Sequence, residues 1–163
     1  MRRVTRIALA LFCVACSKGP RDRSPPARDA SFAGVQSRGR AAMGVDQYTS
    51  THWFTPLPDG GRIELQRNET DSAGATQIRR HMAMIARRFA QGDFRLPGFV
   101  HAREVPGTDV MAARRADIIY TVESLPRGAA LRLTTHDSAA LAAIHAFLTF
   151  QRQDHHAGAF HDS

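Results

Sequence analysis

The stretch Thr51-His52-Trp53-Phe54-Thr55-Pro56-Leu57-Pro58-Asp59-Gly60-Gly61-Arg62-Ile63-Glu64-Leu65-Gln66 decides the fold. Residues 51–55 and 62–66 are short runs of the β-branched, aromatic and aliphatic types that suit a pleated strand. Pro58-Asp59-Gly60-Gly61 between them supplies the turn residues of a hairpin. In the second run Ile63 and Leu65 alternate with Arg62, Glu64 and Gln66, a period of two that buries one face and wets the other.

Downstream the period becomes helical. Ile78, Met82, Ile85 and Phe89 recur at spacings of four and three within residues 72–91, with Arg79, Arg80, Arg87 and Arg88 mostly off that stripe. Asp71 or Ser72 caps the start and Gly92 marks the stop. Pro97, Gly98, Pro106 and Gly107 then predict an irregular stretch, with a short strand at 99–102 and a short helix over 108–115. A second hairpin is expected from residues 118–123 and 130–135 around Pro126-Arg127-Gly128. A last helix begins after Asp137 or Ser138 and carries Leu141, Ile144, Leu148 and Gln151 towards the sheet. The reading is α+β: a small antiparallel sheet of two hairpins with two long helices packed on one face, in the order ββα, α, ββα.

The N-terminus carries an address. Arg2, Arg3 and Arg6 precede an uncharged, mostly apolar run over residues 7–15. That run is shorter than the roughly 20 apolar residues a membrane-spanning helix needs, and its flanks are those of a secretory signal. With Val14-Ala15-Cys16 it resembles the bacterial lipobox, although Cys13 stands where that pattern usually has Leu. The resemblance implies that residues 1–15 are removed and that Cys16 is lipidated. Ser17, in place of Asp, implies the outer membrane. A periplasm-facing protein of the cell envelope, partnered with the membrane through its lipid, is therefore expected. An ordinary secretory signal cleaved near Ala15 is the plainer alternative.

Cys13 and Cys16 are the only cysteines, so the folded part has neither disulfide nor thiolate. Residues 17–42 are rich in Pro, Gly, Ser, Arg and Ala and poor in large apolar side chains, which predicts a flexible tether leading to one domain over 43–163. The net charge of +7 belongs to the signal and the tether, because 13 arginines face 13 acids from Met43 onward. A neutral, exported domain argues against a nucleic-acid partner; the basic tether suits an anionic membrane surface.

The functional lead is histidine. His52, His81, His101, His136, His145, His155, His156 and His161 all lie beyond the tether. His81 and His145 sit beside the apolar stripes of the two long helices, His52 lies on the first strand next to Trp53, and His101 follows the Pro97-Gly98 turn. With Met111 as a soft donor, His52, His81, His101 and His145 form a candidate copper or zinc site. Zinc would draw in a carboxylate such as Asp46, Asp109 or Asp154. His155, His156 and His161 read as a polar tail. The bland alternative makes the histidines structural in a protein-interaction module, or the lining of a pocket for a small organic ligand or haem. No CxxCH motif is present for covalent haem attachment. No GxSxG elbow occurs, Thr135-His136-Asp137 is an ordinary strand-to-helix corner, and Gly60-Gly61 is a turn, so binding is expected in preference to catalysis.

Met43-Gly44-Val45-Asp46-Gln47, Thr51-His52, Asp59-Gly60-Gly61, Pro106-Gly107 and Ala142-Ala143-Ile144-His145-Ala146-Phe147-Leu148-Thr149-Phe150-Gln151 through to His155 together resemble a group of small bacterial secreted or lipoprotein domains with no assigned activity. The resemblance covers residues 43–158. It implies a single self-contained domain and carries over no functional residue.

Overall fold

The computed structural model describes residues 27–44 and 46–157. The signal, Cys16, the first part of the tether and His161 lie outside the described residues. Four strands form one antiparallel sheet in the order β1-β2-β4-β3: β1 Ser50–Leu57, β2 Gly60–Arg67, β3 Ile118–Leu125 and β4 Gly128–Thr135. Both hairpins fall where the sequence places them. Each turn is tighter than the sequence suggests, because Pro58-Asp59 and Pro126-Arg127 alone make the corners and the following glycines already belong to β2 and β4.

The hairpins join through β2 and β4, with Ile63 opposite Leu131 and Leu65 opposite Ala129. Each reaches into the turn of the other. The Arg67 amide donates to the Arg127 carbonyl at 2.9 Å, and the Thr135 amide donates to the Asp59 carbonyl at 3.0 Å. At both ends of this seam the backbones approach so closely that only glycine fits. A Cβ on Gly60 would strike the Leu133 carbonyl oxygen, and one on Gly128 would strike that of Leu65.

The alternation in the strands sends Phe54, Ile63, Leu65, Ala129, Leu131, Leu133 and Ile118 to one face. Two helices cover it: α2 (Ser72–Ala90), with Ile78, Met82, Ile85 and Phe89 buried, and α5 (Ser138–Asp154), with Ala140, Ala143, Ile144, Phe147 and Leu148 buried. Asp71 caps α2 by accepting from the Gly74 amide at 2.9 Å, and Asp137 caps α5 by accepting from the Ala140 amide at 2.7 Å. Leu141 lies at the rim of the α5 stripe, whose centre is Ile144, Phe147 and Leu148. The other sheet face is polar, with Arg62 bridging Glu64 and Glu123.

Two expectations are corrected. Residues 99–102 are not a strand: 99–101 close α3 (Arg95–His101), and Ala102 ends it in the left-handed region at φ 53°. Pro97 is tolerated because it is the third residue of that helix, where a missing N–H forfeits no intrahelical bond. The short helix at 108–115 is α4 (Thr108–Ala113), followed by a 3-10 turn over Arg115–Asp117.

The larger correction concerns the tether, whose second half is a helix, α1 (Ala27–Met43). Its inner face reads Phe32, Val35, Gln36, Gly39 and Met43, a helical spacing in which Val35, Gln36, Gly39 and Met43 are buried. Composition hid this face because a glutamine and a glycine supply two of its contact positions. Several links dock it. Arg38 Nε donates to the Val100 carbonyl at 2.7 Å, Gln77 Nε2 donates to the Met43 carbonyl at 3.0 Å, and the Phe32 ring stacks on His156 at 4.2 Å.

The seam gives a direct test. Gly128→Ala places a methyl group against the Leu65 carbonyl and is expected to lower stability by roughly 2–3 kcal/mol in a urea titration. An unchanged midpoint would show that β2 and β4 separate without penalty.

Candidate functional site

The register of β1 sets the first wall of the site. His52 lies opposite Leu65 and two residues before Phe54, so its ring points to the helix-covered face beside the end of α5. There it meets His155, the C-cap residue of α5, with ring centroids 5.2 Å apart. His155 also lies 5.0 Å from the His101 ring and 5.4 Å from Phe54. His81 approaches from α2, where it bonds the Ala42 carbonyl at the end of α1.

These four histidines line one cavity of about 90 Å³, bounded by α1, α2, α3, α5 and the sheet. The rest of its wall is mostly apolar and includes Met43, Phe54, Met82, Phe89, Val100 and Phe147. Gly39, Ala42 and Met43 of α1 form one side, so the segment expected to be a tether contributes to the cavity.

Burial governs the charge of the rings. Loss of water, with His81 nearby, pushes His52 down to about 4. The same loss lowers His81 to about 4, against its bond to the Ala42 carbonyl. His155 falls well below the usual imidazole value through burial and through the neighbouring His52, His101 and His156. These three rings are neutral at pH 7.

His101 is held differently. Its Nδ1 donates to the Asp154 carboxylate, and its Nε2 meets the Gln151 side-chain oxygen at 2.8 Å. Arg103 closes the far side of Asp154 and lies over the Phe150 ring at 4.6 Å. Both ring nitrogens of His101 are thus occupied, which makes it a clasp between α3 and α5.

No family model, no curated protein and no solved structure matches the chain.

Of the residues singled out in the sequence, His52, His81 and His101 come together. His145 does not. Its Nε2 donates to the Leu57 carbonyl at 2.9 Å and pins the end of β1 to α5. Met111 is fully buried in the core on α4, away from the cavity wall. His155, read as part of a polar tail, is instead central. The signal for it was present, since Ile144, Leu148, Gln151 and His155 continue one helical stripe. Among the described residues no group of three or more His, Cys, Asp or Glu side chains is arranged to hold a metal ion.

His155 has one further property. Its Nδ1 is buried and has no hydrogen-bond partner among the described residues. Two other buried side-chain atoms share that condition, Gln36 Oε1 and Tyr120 Oη, but neither residue lines the cavity. A buried polar atom left unpaired costs roughly 1–3 kcal/mol, so this nitrogen is a local weakness at the end of α5.

The lowered values set a pH dependence. His52 and His81 take up protons more weakly in the folded chain, at about 4, than in the unfolded chain, at about 6.5. Their contribution is complete above pH 6.5 and is lost as the pH falls from there towards 4. The melting temperature should drop across that window, before most carboxylates titrate. The double variant His52→Leu, His81→Leu should show a flatter profile; an identical slope would mean that these rings are not buried uncharged.

Proposed function

We propose that the protein is an envelope-anchored binding module that takes a small uncharged molecule into the histidine-lined cavity. One observation carries this reading: the neutral imidazoles of His52, His81 and His155 line one cavity together with aromatic and aliphatic side chains. Apolar walls with a few convergent polar groups of perturbed ionisation are the features of a small-molecule site. At about 90 Å³ the cavity is far too small for a haem, and it is closer to one that holds a benzene-sized guest.

A copper or zinc ion is the second reading. It is favoured by Met43 and Met82, whose thioethers share the cavity wall with His52, His81 and His155. The donor set differs from the sequence expectation of His52, His81, His101, His145 and Met111, with His155, Met43 and Met82 in place of His101, His145 and Met111.

Melting the full-length protein separates the two. Benzene-saturated buffer should raise the melting temperature, because a guest that binds only the folded state stabilises it. Ala42→Phe, which fills the cavity from α1, should remove that rise. A rise with one equivalent of copper or zinc, lost on adding a chelator and absent with benzene, would replace the organic guest by a metal.

The anchoring rests on the sequence: Arg2, Arg3 and Arg6, the apolar run over 7–15, and Cys16 directly after it. Several lipid chains on Cys16 would hold the protein durably at a membrane. Cys16→Ser should abolish incorporation of labelled palmitate and release the protein from the membrane fraction. Retention of both label and membrane location in that variant would rule out lipidation at this residue.

A further inference from the structure

We infer that the outer ridge of α2 is a second contact with the membrane, seated on anionic lipid headgroups through Arg80 and Arg87; this rests on the anchoring reading above and is independent of the cavity.

Charge is the first ground. From Met43 onward the chain is neutral, with 13 arginines against 13 acids. α2 holds four of those arginines, Arg79, Arg80, Arg87 and Arg88, and none of the acids. The basic excess on this helix is therefore matched by an acidic excess elsewhere. Acids with no ion-pair partner among the described residues of that stretch are Glu69, Glu104, Asp109 and Asp117, none of them on α2.

Geometry is the second. Arg79 turns to the β3–β4 corner, donating to the Leu125 carbonyl at 2.6 Å, and Arg88 pairs with Asp93 at 3.9 Å. Arg80 and Arg87 are exposed and have no partner among the described residues. Seven residues apart, they share one face and stand about 10 Å from each other along the helix axis. Thr76, Ala83 and Ala90 complete this ridge at spacings of three and four, so only small uncharged side chains flank the guanidiniums. Such a ridge can lie flat on a surface of phosphates, which guanidinium groups bind in forked pairs of hydrogen bonds. Arginines that serve only to strengthen a helix pair with acids three or four residues away, and neither of these has one. The helix dipole favours Arg87 in the last turn, but Arg80 lies mid-helix.

Reach is the third. The ten residues between Cys16 and α1 span at most roughly 35 Å, and α1, with 17 residues, is about 25 Å long. α1 ends against α2, where Gln77 holds the Met43 carbonyl at 3.0 Å. A bilayer that holds Cys16 is thus within reach of α2. Lys18, Arg21 and Arg23 against Asp22 give the intervening stretch the same sign, and an anionic surface draws in both. Because α2 covers one face of the sheet, seating its outer ridge turns the polar sheet face away from the membrane.

The experiment puts one fluorophore on the mature, lipidated chain, at Thr76→Cys on the ridge or at Thr121→Cys on the polar sheet face. The protein is held on vesicles of phosphatidylcholine, alone or mixed equally with phosphatidylglycerol, with a quenching spin label on the headgroups. In the anionic mixture the ridge label should be quenched several-fold more strongly than the sheet label. The difference should vanish in phosphatidylcholine alone, in Arg80→Glu, Arg87→Glu, and in about 1 M salt, where the screening length is roughly 3 Å. The salt result on the unaltered arginines decides the matter should that variant fail to fold. Protein that washes off phosphatidylcholine vesicles would overturn the anchoring reading. Protein that stays on them while both labels behave alike in the anionic mixture would overturn this inference alone. A ridge label shielded from a water-soluble quencher in phosphatidylcholine alone would assign the ridge to a second copy of the chain and likewise overturn it.

Discussion

The pairing of β2 with β4 is the constraint on which the rest of this molecule depends. Each hairpin alone is a two-stranded ribbon, which is marginally stable in water. Joined side by side, they make a four-stranded sheet with one continuous apolar face, and that face is what α2 and α5 cover. The junction is reciprocal. Each turn accepts a backbone hydrogen bond from the last residue of the other hairpin's second strand, and each second strand opens with a glycine against the other's backbone. Arg132 reinforces one end by reaching both Asp59 and the Gly61 carbonyl.

From that seam the cavity follows by geometry. The central strands bring Leu131 and Leu133 under the middle of the helices, while Ile63 and Leu65 of β2 already face the cavity. β1 lies outside β2, and α5 passes over it towards its own C-terminus. The last turn of α5 therefore ends beside His52, where the sheet offers less apolar surface. Polar rings occupy this place: His155 from the helix end, His101 from α3 and His52 from the edge strand. The clasp of His101 with Asp154 and Gln151 secures α3, and α3 in turn receives α1 through Arg38 and the Val100 carbonyl. Removing the clasp would loosen two walls of the cavity without touching the sheet.

What the sequence reveals of this is uneven, for physical reasons. The hairpins, the two long helices and their caps are legible because period and turn chemistry act locally: Pro58-Asp59 and Asp71 do in the structure what their residue types require. α1 is not legible, because its inner face includes the buried Gly39 and Gln36, and neither scores as apolar. Of the candidate ligands, three of five converge. His81 and His145 look alike in sequence, each beside an apolar helical stripe. They part because α2 faces the cavity at His81, while α5 at His145 faces the end of β1. Helical spacing fixes the side of its own helix that a residue occupies; the partner met there depends on the sheet order.

The neutrality of the rings ties the fold to its chemistry. A histidine in water changes charge near physiological pH, and a cluster of three cations in an apolar cavity would push its walls apart. Burial prevents this by holding His52, His81 and His155 uncharged, at the expense of stability in acid. An aliphatic wall would avoid that penalty and pack more simply. A side chain at the His155 position with no nitrogen would leave no orphaned polar atom, yet the structure keeps a ring whose Nδ1 has no partner among the described residues. Fold stability alone accounts for the His101 clasp, bonded to Asp154 and Gln151, and for the His145 pin, bonded to the Leu57 carbonyl. His155 differs from both, because it makes ring contacts with His52, His101 and Phe54 in place of a hydrogen bond at Nδ1, and its burial is what keeps this corner of the fold uncharged.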